Sequence, residues 1–92
     1  MAEADFLVIG GGLVGCAIAY GLARAGCSVL VLDGEDRDIR ASRANYGIVW
    51  VQGKGLGLPP YQRWTRLSSD TWPAFAAAIE AESDVAIDYE RP

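Results

Sequence analysis

Ninety-two residues are enough for one small domain and too few for a complete flavin or nicotinamide enzyme. Hydrophobic residues make up 51% of the chain, which excludes disorder on composition, and a net charge of −4 without a basic stripe argues against nucleic acid as a partner. The chain has no histidine, so histidine-based acid–base catalysis and histidine metal ligation are excluded, and no metal site is assigned.

The first five residues form a short polar lead-in. Glu3 and Asp5 stand where a secretory signal would carry basic residues, and there is no room for a targeting segment, so the expected compartment is the cytoplasm. The organising stretch follows. Phe6, Leu7, Val8 and Ile9 predict a strand that runs into Gly10-Gly11-Gly12-Leu13-Val14-Gly15. Apolar residues then recur at helical spacing at Val14, Ala17, Ile18, Gly21, Leu22 and Ala25, and Gly26 is placed to end the helix in a left-handed cap. Residues 29–32 resume strand character, and Asp33 closes them about twenty residues after the glycines.

Each part has a role if a dinucleotide lies across the turn. Gly10 allows the sharp exit from the strand, Gly12 lets the backbone approach a pyrophosphate, and Gly15 lets the helix pack closely on the first strand. The helix N-terminus, where Leu13 and Val14 complete the candidate set, offers free N–H groups and roughly half a positive charge to phosphates. Asp33 is placed to accept hydrogen bonds from a ribose diol, and its charge would repel a 2′-phosphate.

Residues 6–23 carry no charge, which is also the mark of a membrane span. Three consecutive glycines are poor helix formers in such a span, and the stretch reads instead as the core of a parallel sheet, with no transmembrane segment. Cys16 and Cys27 read as small buried thiols in a reducing compartment. A disulfide would have to bridge the two ends of the helix, about 16 Å apart at 1.5 Å per residue. No base accompanies Cys16 to make it a nucleophile.

After Asp33 the regular alternation of a nicotinamide-binding fold does not continue. Residues 34–40 are polar and charged and read as a solvated loop, followed by Ala41-Ser42-Arg43-Ala44-Asn45-Tyr46-Gly47. Small residues there suit a backbone passing close to a ligand. Ser42 and Asn45 could donate to phosphate or flavin, and both are equally ordinary turn and cap residues. Residues 48–52 predict a short extended piece. Gly53 to Gly57 fail as a phosphate loop, because no Gly-Lys-Ser/Thr closes them and no strand–loop–helix frame surrounds them, so a flexible loop is expected. Residues 61–82 predict a helix with Trp64, Leu67, Thr71, Phe75 and Ile79 on an apolar stripe and Trp72 beside it, read as core-facing. Pro73 should kink this helix or start a second one capped by Asp70 or Thr71. Residues 85–90 alternate like a half-buried strand.

The run from Asp5 to Gly15, with Ala19, Gly26, Asp33 and the loop 41–47, resembles the FAD-dependent amine and amino-acid oxidoreductases, the group of D-amino-acid oxidase, glycine oxidase and sarcosine oxidase. That resemblance implies an α/β fold: a Rossmann-like FAD-binding βαβ unit, incomplete here, followed by a helix and the first strand of a substrate domain. It implies FAD as cofactor, and oxidation of the C–N bond of an amine or amino acid by hydride transfer. Residues 1–82 would be the N-terminal part of the FAD-binding domain and 83–92 the start of the substrate domain. Ser42, Asn45 and Gly47 join the binding set by the same resemblance, and Asp33 stands where the family often has Glu. Trp50 and Gln52 would run near the flavin and are not assigned. The family's substrate-carboxylate anchor would lie beyond Pro92, so no catalytic residue is assigned, and the isolated chain is expected to be inactive. A completing polypeptide or partner subunit is the expected partner. Two other readings stay open, a non-catalytic nucleotide-binding or assembly module and an NAD-binding domain.

Overall fold

The computed structural model describes residues 3–34, 41–44 and 47–90. The chain divides into two compact units, with the boundary between Tyr46 and Gly47.

In the first unit, strand β1 (Phe6–Ile9) is followed by helix α1 (Leu13–Arg24) and strand β2 (Val29–Leu32). The strands pair in parallel with Phe6 opposite Val29 and Ile9 opposite Leu32. Backbone bonds extend the ladder at both ends, Phe6 N–H to the Ser28 carbonyl at 3.2 Å and Gly10 N–H to the Leu32 carbonyl at 2.7 Å. At the entry end a reciprocal pair adds to this: the Asp5 N–H donates to Ser28 Oγ and the Ser28 N–H donates to Asp5 Oδ2, both at 2.9 Å. A parallel pair needs a crossover, and α1 supplies it. The helix stops where expected. The N–H of Gly26, at φ 89°, donates to the Ala23 carbonyl and that of Cys27 to the Leu22 carbonyl, both at 3.0 Å, the two bonds of a Schellman cap.

Side chains alternate across a strand, so Phe6, Val8, Val29 and Val31 turn to one face and Leu7, Ile9, Leu30 and Leu32 to the other. On the first face Val8 and Val29 are half-buried, with Val8 near α1, while Phe6 and Val31 are exposed; on the second all four are exposed, Ile9 at 81%. Among the described residues only Ala76, in the second unit, is fully buried, so α1 covers one face of the sheet in part and the other apolar face is open.

The second unit is built on helix α2 (Pro59–Glu82), which begins two residues before the expected start because Pro59 and Pro60 fit the first turn of a helix. Residues 48–52 carry no strand, and 52–57 form successive turns. Gly55, at φ +74°, lies so close to Gln62 that a Cβ would stand 2.5 Å from the Gln62 backbone nitrogen. The helix runs unbroken through Pro73, and no second helix starts there. The Thr71 hydroxyl does not cap; it faces the Leu67 and Ser68 carbonyls at 3.0 and 2.9 Å, one turn back.

The core-facing stripe holds only in its second half. Trp72, Phe75 and Ile79 are half-buried around Ala76, while Trp64 and Leu67 are exposed at 69% and 61%. The strand expected at 85–90 is not present. A strand needs a neighbour to bond to, and Asp88 at φ 55° turns the chain out of the extended region. The segment folds back on α2 instead. The Ile87 N–H donates to Glu80 Oε2 at 3.3 Å, and Tyr89 stacks on Trp72 with ring centroids 6.2 Å apart.

Candidate dinucleotide site

The site lies where β1 ends, α1 begins and β2 stops. Gly10 at φ +106° turns the chain sharply out of the sheet, a conformation that L side chains rarely adopt. Gly15 answers a packing demand. A Cβ there would fall on the carbonyl oxygen of Gly10 and stand 3.4 Å from Val8 Cγ1, so glycine alone lets helix and strand cross this closely.

Gly12 is different. Its φ of −76° and ψ of −169° are open to any residue, and a Cβ would meet no atom of the described residues within 4 Å. Neither backbone nor packing calls for glycine at this point. What glycine leaves is bare backbone facing open space. Leu13, Val14 and Gly15 precede the first intrahelical bond, Cys16 N–H to the Gly12 carbonyl at 2.9 Å, so their N–H groups are those a helix leaves for outside acceptors. Among the described residues no side chain caps this helix start. Asp33 follows the Ile9–Leu32 pair, at the same end of the sheet as Gly10. Open backbone, outward N–H donors and an acid at the strand end fit a pyrophosphate with its ribose.

Gly11 was not singled out by sequence reasoning, because the fingerprint leaves its position free. A Cβ on it would stand 2.8 Å from Asp33 Oδ2. Its carbonyl accepts from Cys16 Sγ at 3.3 Å, which gives that exposed, free thiol a structural contact.

The structure thus brings together Gly10, Gly12, Leu13, Val14, Gly15 and Asp33. Ser42 lies half-buried in a short 3-10 turn, Ala41–Ala44. Asn45 lies outside the described residues, and Gly47, at φ +74°, opens the second unit. Trp50 and Gln52 are engaged within their own turn. Trp50 Nε1 donates to the Gln52 carbonyl, Gln52 Oε1 accepts from the Val51 N–H at 3.3 Å, and Lys54 Nζ sits 5.7 Å from the Trp50 ring centre. Arg24 lies over the Tyr20 ring and donates to its hydroxyl at 3.2 Å. Among the described residues no cluster of three or more acids or cysteines could hold a metal, and no helix is long and apolar enough to cross a membrane.

The family described as FAD dependent oxidoreductase matches residues 5–92. An opine oxidase subunit of Rhizobium meliloti is 54% identical over 85 residues, which cover 92% of this chain and 23% of that protein. The opine oxidase subunit of the same name from Agrobacterium tumefaciens (strain Ach5) is 50% identical over 91 residues, covering 99% of this chain and 24% of that protein. Hydrogen cyanide synthase subunit HcnC of Pseudomonas aeruginosa is 35% identical over 54 residues, 59% of this chain and 13% of that protein. The chain therefore spans about a quarter of the length of the opine oxidase subunits it matches. No solved structure matches it significantly.

Proposed function

We propose that this chain, which belongs to the FAD-dependent oxidoreductase family, forms the opening of a Rossmann-like FAD-binding domain in an enzyme that oxidises the C–N bond of an amine or amino acid. The observation that carries the reading is the bare backbone at Gly12, a glycine that nothing among the described residues requires. The N–H groups at the start of α1 would hold the pyrophosphate, with Gly10 and Gly15 setting how closely strand and helix approach it. Asp33 would accept hydrogen bonds from the ribose. Ser42, Asn45 and Gly47 extend the binding set on the strength of the family's loop. Bound FAD supplies the acceptor for a hydride from the carbon beside the substrate nitrogen. The residues of this chain bind and orient, and none is assigned to proton transfer.

Residues 1–82 belong to the FAD-binding domain in this reading, and 83–92 open the substrate domain, where alternation at 85–90 would gain a pairing strand. Two relatives named as subunits of opine oxidase favour an opine as substrate and a partner polypeptide in the assembly. Both cysteines are free thiols, which suits a reducing compartment such as the cytoplasm.

FAD titration of the intact protein, followed by flavin absorbance, tests the assignment. Stoichiometric binding is expected for the wild type and none for Gly12→Val, whose branched side chain would fill the pyrophosphate's space. Wild-type FAD affinity in that variant would overturn the role of Gly12, and binding of NAD in place of FAD would overturn the flavin reading.

A further inference from the structure

We infer that Gly11 is a positioning residue for Asp33, holding its carboxylate in place because it has no side chain of its own. The inference rests on the reading of Asp33 as the ribose ligand. A Cβ on Gly11 would stand 2.8 Å from Asp33 Oδ2, 3.0 Å from Cγ and 3.2 Å from Cβ. The whole acid side chain, not only its tip, therefore packs over the Gly11 Cα. Gly11 is not among the glycines at positive φ, so a side chain there meets Asp33 and no backbone penalty.

The turn has little room to retreat. The Gly11 carbonyl is held by Cys16 Sγ at 3.3 Å, and the next residue, Gly12, caps the start of α1, its carbonyl tied by the Cys16 N–H at 2.9 Å. On the other side Asp33 follows directly on β2, whose last residue bonds to Gly10 N–H at 2.7 Å. Both main chains are anchored at the contact. Aspartate has only two side-chain torsions and must rotate if crowded, which carries its oxygens away from the place where they meet a diol. The middle glycine of the three, which the fingerprint leaves to any residue, thus sets the geometry of the acid 22 residues later.

A double-mutant cycle on FAD affinity in the intact flavoprotein tests this, with Gly11→Ala, Asp33→Ala and the double variant compared with wild type. Asp33→Ala should raise the Kd by roughly ten- to hundredfold, the scale of one charge-assisted hydrogen bond. Gly11→Ala alone should raise it by about tenfold, and by less than about twofold when added to Asp33→Ala, where only the 3.2 Å approach to Cβ remains and a shift of a few tenths of an ångström relieves it. Equal losses in both backgrounds would overturn the inference, since Gly11 would then act on the turn itself. If Asp33→Ala leaves the Kd unchanged, the ribose reading fails by itself, and a crystal structure of Gly11→Ala decides the positioning separately. A rotated Asp33 side chain in it supports the inference, and an unmoved one overturns it. Should Gly11→Ala fail to accumulate, recovery in the double variant supports the contact, and failure in both overturns it.

Discussion

Two glycines of α1 make opposite predictions for the same substitution. At Gly21 a Cβ meets nothing within 4 Å, and the residue lies inside the helix and exposed. Alanine there gains helix propensity, about 0.8–1.0 kcal/mol, with no steric charge against it. At Gly15 the same Cβ would fall on the Gly10 carbonyl oxygen. Relief requires moving helix away from strand, since the obstacle is backbone and cannot rotate aside. Overpacking of this kind costs typically 1–3 kcal/mol, and a backbone clash belongs at the upper end. Set against a propensity gain of about 1 kcal/mol, Gly15→Ala should destabilise by about 2 kcal/mol. Denaturant unfolding of the intact protein, read by circular dichroism and flavin fluorescence, measures both variants. The midpoint should fall for Gly15→Ala and rise for Gly21→Ala at unchanged slope. If Gly15→Ala were as stable as wild type, or if both variants lost stability equally, the close helix–strand crossing would not be what demands glycine.

Asp5→Ala removes the carboxylate that accepts from the Ser28 N–H and should cost about 1 kcal/mol, whereas Asp5→Asn, which keeps an acceptor oxygen, should stay near wild type; chemical denaturation ranks the two. The 92-residue chain expressed by itself should self-associate through the open sheet face of Leu7, Ile9, Leu30 and Leu32. Sedimentation velocity reads this directly, and a monomer with a cooperative melt and tightly held FAD would refute it.

The first unit is legible because its signals are local. A four-residue aliphatic run, glycines of fixed spacing and a glycine stop each specify backbone geometry within a few residues, and β1, α1 and β2 form as expected. The contact of Gly11 with Asp33 is not legible, since it joins residues 22 apart and exists only once the strands are in register. In the second unit the alternation at 85–90 is a real pattern. Alternation describes which side chains share a face, however, and cannot supply the neighbour that makes a strand. The apolar stripe of α2 likewise tells which residues share a face, not how deeply each is buried, and its first half at Trp64 and Leu67 is exposed. Pro73 leaves two outcomes open, and the helix carries through.

The parallel register has a consequence for the order in which this chain is made. Phe6 pairs with Val29, so β1 leaves the ribosome 23 residues ahead of its partner. At 5–20 residues per second the wait is roughly 1–5 s, far longer than a helix needs to form. Throughout that wait an uncharged aliphatic segment has no strand beside it. Helix α1 can fold meanwhile, and its stop at Gly26 turns the chain before β2 is complete. The nascent strand then follows a completed turn, and the interval in which β1 could pair with a neighbouring nascent chain ends once Leu32 has left the ribosome and paired with Ile9.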